Sequence, residues 1–403
     1  MNKSIIFSGA CLIAGTTIGA TVLVLIGAVV GYNFAQVLAL YVCAWLLMTI
    51  TGLMMAEVCI KMPAGHSFLS LIGHYWGDFG KWAMSFVFYL LMFFLLCSYL
   101  NILGHNSQGS FEKLGFHYSA DVWIGLWVLV LTILMMIGRH ILQELNAGFV
   151  VIMLIGFVVL YVIIMPHCHF SNLMHLQETY SMTVEGPMSL LFLINAFGFH
   201  IIIPTVRNSL GEDNLGGIYQ IIWLGAIIPL ILYLLWYVVS ISLLPIEFIN
   251  SNATQIPLER WGLLITDTIK QVSDSNIIYF ALVLLHFTFV LTSIIGISLA
   301  LYDLIADFFQ TRGIKQIHAL LVTLSLVPSY LFVHFETKGI RAFLYYAGVL
   351  VILLNVILPA LLLAQERSNR PYMKFYQAVP TWLIYIVIIL GIALFYIQLI
   401  DLK

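Results

Sequence analysis

Ala14-Gly15-Thr16-Thr17-Ile18-Gly19, near the start of the chain, and Asn195-Ala196-Phe197-Gly198-Phe199-His200, near its middle, are glycine-interrupted stretches inside apolar segments long enough to cross a bilayer. A helix broken within hydrocarbon leaves backbone N–H and C=O groups without partners. That is tolerated only where the break is buried in protein or faces a wet cavity. Two breaks, each opening one half of a chain, mark the substrate site of a carrier built from inverted repeats.

The surrounding composition agrees. Of 403 residues, 62% are hydrophobic and only 8% charged, and the mean hydropathy is +1.05, which excludes a soluble globular domain. At about 20 apolar residues per span, the length accommodates roughly ten to twelve membrane helices. The formal net charge of −2 and the absence of a Lys/Arg-rich run give no reason to expect nucleic-acid binding. Cys11, Cys43, Cys59 and Cys97 fall within spans and Cys168 in a loop, so neither a disulfide framework nor a metal-binding CxxC spacing follows. Lys3 and the apolar run after it resemble a signal peptide. Because the apolar character continues to Val30 and further spans follow, an uncleaved first helix is expected instead.

Hydropathy places eleven spans near 5–30, 34–60, 82–104, 122–138, 147–165, 187–206, 217–244, 277–304, 317–334, 341–363 and 379–399, with long polar loops at 166–186 and 245–276. Lys3, Lys61, Lys81, Arg139, Arg207, Arg312, Lys315, Arg367, Arg370 and Lys374 share the side of the N-terminus. Lys113, Arg260, Lys270, Lys338, Arg341 and Lys403 lie on the other. This bias predicts a cytoplasmic N-terminus and an external, periplasmic C-terminus. The chain reads as a single membrane domain, 1–403. Residues 1–165 form one five-helix repeat, 187–363 its inverted counterpart, and 379–399 an extra helix.

Acidic residues avoid the spans. Only Glu57 and Asp303 fall clearly inside one, both near the N-terminal side, and an intramembrane charge is a functional hypothesis by default. For Glu57, a structural acid at the interface and a coupling or gating group are both open. Asp303 and Asp307 read as a solvated helix end. Among twelve histidines, His200 and His286 sit deep, and imidazole exchanges protons near neutral pH. A bundle without a central charge suits a zwitterion. N–H groups at a half-helix N-terminus meet its carboxylate, and free carbonyls at a half-helix C-terminus meet its ammonium. Gly15, Gly19 and Gly198 are expected to allow the turns and the close approach. The hydroxyls of Thr16 and Thr17 either contact substrate or bond back to their own helix, and Phe197 and Phe199 flank the second break.

These residues resemble the hydroxy and aromatic amino acid permease family, above all its tyrosine-specific branch of bacterial inner-membrane proteins. The likeness runs over nearly the whole chain. It is carried by Ile13 to Ala20, by Phe197-Gly198-Phe199-His200 with Pro204, by Ser293-Ile294-Ile295-Gly296 through Tyr302-Asp303-Leu304-Ile305-Ala306-Asp307-Phe308-Phe309-Gln310, and by Tyr346-Ala347-Gly348-Val349, Ala56-Glu57-Val58 and Tyr99.

The resemblance implies an all-α integral membrane protein of the amino acid, polyamine and organocation type. It would have eleven helices, a LeuT-like five-plus-five inverted repeat with helices 1 and 6 discontinuous, and one extra C-terminal helix. Such a carrier imports tyrosine or another aromatic amino acid with a proton and needs no cofactor. Carried over residue by residue, the substrate site comprises Gly15, Thr16, Thr17, Ile18, Gly19, Tyr99, Asn195, Phe197, Gly198, Phe199 and His200. His200 and Glu57 are the candidates for proton coupling or gating. Thr292 and Ser293 are a candidate ion site should sodium be used, since relatives of this fold place sodium there. The fifth span has no lysine to take that place.

The chain departs from the family pattern beside both breaks. Thr21-Val22-Leu23-Val24-Leu25-Ile26 lacks the usual glycine and proline, and Ile201, Ile202 and Ile203 replace small or polar residues after His200. Such bulk shifts side-chain discrimination by roughly 1 to 3 kcal/mol. A tryptophan or small hydroxy amino acid permease, and a sodium-coupled carrier, therefore remain as alternatives. A membrane-embedded enzyme is remote, because Asp303 and Asp307 lack the further acids and basic partner that phosphate-bearing substrates demand. A channel would carry charge rings or repeated filter loops, which this chain lacks.

Overall fold

The computed structural model describes residues 3–401 apart from 63–66, 183–184, 211–214, 253–254, 274–275, 312, 314, 316, 337–338 and 370–376. Arg312, Lys338, Arg370, Lys374 and Lys403 lie outside the described residues. Every regular element among those described is helical.

The first span is two helices in series, α1 (Lys3–Thr17) and α2 (Leu25–Val29). Next come α3 (Phe34–Ile60), α4 (Phe68–Glu112), α5 (Ala120–Ile137) and α6 (Arg139–Ile164). The sixth span is again divided, into α7 (Gly186–Ala196) and α8 (Ile203–Ser209). Then follow α9 (Gly217–Leu243), the short α10 (Ile246–Asn252), α11 (Trp261–Ser273), α12 (Asn276–Thr311) and α13 (His318–Phe335). The tenth span is α14 (Gly339–Val351) and α15 (Leu358–Asn369) joined by a π-helical turn, Ile352–Ile357, and α16 (Thr381–Asp401) is the eleventh. Ten of these units are long and apolar enough to cross a membrane, and the first span enters as a shorter apolar helix. We call the side from which α1 starts the near face.

Local chemistry sets the boundaries. Asn33 and Gln36 close a reciprocal capping box on the first turn of α3, and Ser67 and Ser70 do the same for α4. The third span differs from its expected bounds of 82–104, because α4 begins at Phe68 and turns at Gly77, which holds φ +67, a conformation open to glycine. Polar His74, Asp78 and Lys81 hid this first stretch from hydropathy. The region 245–276, expected as a polar loop, carries α10 and α11. Trp261, Ile265 and Ile269 form a buried stripe at four-residue spacing on α11. Averaging over its polar face concealed it.

Bilayer contact is written on the outer helices. Ile155, Val158 and Val162 of α6 are 61%, 64% and 70% exposed, an apolar surface suited to lipid. By contrast α3 and α12 are packed on most sides. All five cysteines are free.

Candidate substrate site at two broken helices

Glycines bring α1 and α9 side by side. A Cβ on Gly225 would stand 2.6 Å from Ile13 Cβ and 3.0 Å from the Ala10 carbonyl, so the two backbones approach as only glycine permits. Two turns further along α9, Tyr233 reaches the end of α1. There Ile18 N–H donates to Ala14 O at 2.8 Å, Gly19 is extended at φ −160°, and a 3-10 turn, Ala20–Leu23, leads into α2. A Cβ on Gly19 would overlap the Ser293 hydroxyl. That hydroxyl accepts the Ala20 N–H at 2.9 Å and donates to Phe289 O at 3.1 Å. One backbone donor released by the break is thus met by α12.

The second break follows Ala196. Gly198 N–H donates to Asn195 O at 3.3 Å, and a 3-10 turn from His200 to Ile202 leads into α8. Phe199 lies over Gly52 of α3, where a Cβ would come within 2.7 Å of its ring, and it stacks on His200 with centroids 5.1 Å apart. His200 is fully buried, with Nε2 2.9 Å from the Thr51 hydroxyl. Thr51 also lies within donating distance of the Leu47 and Met48 carbonyls. With the Thr51 hydrogen given to one of those carbonyls, the Thr51 oxygen accepts from an Nε2–H, and His200 Nδ1 has no partner among the described residues.

The two breaks meet at one atom. The Tyr233 hydroxyl points its hydrogen at Thr17 O (2.8 Å) and Ala196 O (3.2 Å), the last carbonyls of α1 and α7. Tyr233 is itself buried. Its ring meets Phe197 edge-on at 5.3 Å, and Thr21 and Tyr99 are neighbours. Thr17, Ile18, Gly19, Tyr99, Asn195, Phe197, Gly198 and Phe199 therefore belong to one neighbourhood or its immediate wall. Asn195 Nδ2 donates to Leu344 O at 3.0 Å, and its Oδ1 has no partner among the described residues. Asn355, within the π turn, approaches Gly198, whose Cβ would lie 3.4 Å from its Nδ2.

Gly15 and Thr16 lie on the exposed side of α1, and a Cβ on Gly15 would touch nothing within 4 Å. None of Gly15, Gly19 and Gly198 takes a positive φ. Close approach, at Gly19 and Gly198, is what the glycines supply. The hydroxyls of Thr16 and Thr17 donate back to Leu12 O and Ile13 O at 2.7 and 2.8 Å, and Thr292 likewise to Phe289 O at 2.9 Å.

Glu57 lies apart from this neighbourhood, on the near-face side. It is fully buried and forked to Arg367 (2.9 Å to Nε, 2.6 Å to Nη2), with Ala378 N–H at 3.0 Å and Lys61 Nζ at 3.5 Å. Its neighbours on α15 extend the junction. Glu366 accepts from the Tyr75 hydroxyl at 2.7 Å and Gln365 from Trp76 Nε1 at 3.0 Å. Deep on α12, His286 Nδ1 meets the Thr266 hydroxyl of α11 at 3.1 Å. On the far face a pocket of about 400 Å³ opens between α4 and α11, lined by His105, Gln108, Glu112, Arg260 and Asp267 with Leu263.

Sequence reasoning did not single out Tyr233, Thr51, Asn355 or Arg367. A tyrosine in an apolar span, whose hydroxyl requires a partner when buried, was the available signal for Tyr233.

Compared with known proteins, residues 1–398 match the model of the tryptophan/tyrosine permease family. The chain belongs to that family. As a tryptophan/tyrosine permease family member it is 26% identical to tyrosine-specific transport system 1 of Haemophilus influenzae, over 92% of this chain and 91% of that one. It is 24% identical to the low affinity tryptophan permease of Escherichia coli K12, over 93% and 90%. A nucleobase-cation-symport-1 family transporter, in a closed conformation with bromovinylhydantoin bound, superposes with a TM-score of 0.65 at 13% identity. That match covers 98% of this chain and 91% of the other, and makes the fold of this permease family member LeuT-like.

Proposed function

We propose that the chain is a secondary carrier that imports an aromatic amino acid, tyrosine first, across a bacterial inner membrane together with a proton, with its near face cytoplasmic. The observation that carries this reading is the meeting of the two breaks, where carbonyl ends of α1 and α7 converge beside Tyr99 and Phe197. Each carbonyl keeps a second lone pair for a substrate ammonium, and the turns that follow the breaks present N–H groups to a carboxylate. The membership and the relatives named for tyrosine and tryptophan supply the aromatic side chain. Alternating access opens the midplane to one face at a time, and the far-face pocket is the entry side.

For coupling, the Ser293 hydroxyl is engaged on both sides, by Ala20 N–H and Phe289 O. A backbone N–H directed at that oxygen disfavours a cation there, which supports the proton over sodium. His200, with a bare Nδ1 beside the second break, is the carrier we favour. Glu57, forked to a guanidinium on the near-face side, suits gating.

The test is labelled tyrosine uptake into proteoliposomes with the outside acid and sodium absent, competed by tryptophan, phenylalanine, serine and glutamine. Uptake abolished by a protonophore and blocked mainly by aromatics is expected. Uptake only with sodium would return the coupling site to Thr292 and Ser293. Uptake of tryptophan without tyrosine would assign the chain to the tryptophan side of its family, the second reading that the relatives support.

A further inference from the structure

Helix ends carry partial negative charge on their last carbonyls. In broken-helix carriers such ends coordinate the coupling cation. Here the ends of α1 and α7 converge on a point that already holds a hydrogen, the phenolic O–H of Tyr233, shared between Thr17 O and Ala196 O at 2.8 and 3.2 Å. Its ring is held by Phe197 and fully enclosed, so the hydroxyl cannot swing out to let an ion in. A second hydroxyl junction, here accepting rather than donating, lies on the other side of the first break, where Ser293 takes the Ala20 N–H. Protein hydroxyls therefore join the first break both to the second break and to α12.

We propose that the Tyr233 hydroxyl stands in the place of an alkali cation between the two half-helices, so that the breaks are tied together without an ion, and that shortening this side chain uncovers a latent cation site. The proposal rests on the carrier reading. Tyr233 is a positioning residue in it, acting through the backbone of the two breaks. In Tyr233→Phe the ring fills the space while both carbonyls lose their donor, so neither hydroxyl nor ion can serve them. In Tyr233→Ser and Tyr233→Asn the ring is gone, the carbonyls remain, and the new side-chain oxygen adds a further ligand. Sodium should then bind where it could not before.

Two measurements test this on the purified full-length protein. The first needs no substrate: thermal unfolding in detergent, in sodium chloride against choline chloride at equal ionic strength. A ligand that binds the folded state alone raises its melting temperature. A sodium-specific rise of several degrees is expected for Tyr233→Ser or Tyr233→Asn, with none for the unaltered chain or Tyr233→Phe. No sodium-specific rise in either shortened variant, or an equal rise in the unaltered chain, would overturn the proposal.

The second is uptake. Tyr233→Phe should lose more than tenfold in either salt, and the shortened variants should recover activity only in sodium. Should the shortened variants not fold, Tyr233→Phe decides alone, and full uptake by it would overturn the proposal. If the unaltered chain takes up no tyrosine in any gradient, the carrier reading fails for that substrate while the unfolding comparison still decides the role of Tyr233.

Discussion

Replacing Glu57 by glutamine should be among the most destabilising isosteric changes available in this chain. The carboxylate is fully enclosed, and Arg367 is nearly so, with a side chain 9% exposed. Glutamine keeps the shape but removes the charge and turns an NH₂ toward a guanidinium that has only donors. Three contacts suffer together: the two-pronged fork at 2.9 and 2.6 Å, the Ala378 N–H at 3.0 Å and the approach of Lys61 at 3.5 Å. Breaking one side of a buried pair costs about 3 to 5 kcal/mol, mostly through the charge left behind. Arg367 keeps the Val379 carbonyl and the Thr381 hydroxyl as acceptors at 2.8 and 3.0 Å, which places the loss toward the lower end.

Neutralising both partners should restore much of that stability. Glu57→Gln with Arg367→Gln is expected to be more stable than the sum of the single losses by about 1.5 to 3 kcal/mol. The assay is a double-mutant cycle on detergent-solubilised protein, followed by intrinsic fluorescence. Additive losses, or a Glu57→Gln protein that melts with the unaltered one, would refute the reasoning. Uptake by the same variants separates structure from coupling. If Glu57→Gln and His200→Gln both sustain pH-driven uptake, neither residue carries the proton.

Gly19→Ala should reduce uptake at least tenfold, since its methyl must displace the Ser293 hydroxyl from Ala20 N–H. Adding Ser293→Ala should recover part of it, because the added Cβ then stands 3.6 Å from the remaining Ser293 Cβ, an ordinary contact. Gly198→Leu is expected to abolish uptake while the protein still reaches the membrane, its side chain colliding with Asn355 and the Asn195 carbonyl; normal uptake would remove the second break from the site. Thr51→Val strips the acceptor from His200 Nε2 and should cost about 1 to 3 kcal/mol in thermal unfolding, with Thr51→Ser close to the unaltered chain.

All eleven spans were readable in the sequence because lipid enforces long, apolar, internally bonded segments, and both breaks were readable because glycine interrupts them where nothing else does. What escaped has a common physical cause. Glu57 and Arg367 are 310 positions apart, and no local pattern announces a partner at that distance. Arg367 therefore read as an ordinary loop charge. Tyr233 is one of 20 tyrosines, and only the three-dimensional course of α9 alongside α1 distinguishes it. Thr16 and Thr17 looked alike in sequence, yet one turns to the exposed side of α1 and the other to the bundle, a difference fixed by which face of the helix meets Gly225. Averaging hydropathy over a half-polar helix hid α11 altogether.

The π turn at Ile352–Ile357 sets the phase of everything after it. Gln365, Glu366 and Arg367 are consecutive, and their partners Trp76, Tyr75 and Glu57 come from two different helices. A π turn holds one residue more than an α turn. Winding that residue back into an α turn would rotate the helix beyond it by about 100°, carrying all three side chains off their partners in one movement. The three contacts share a single dial, and they register together or not at all.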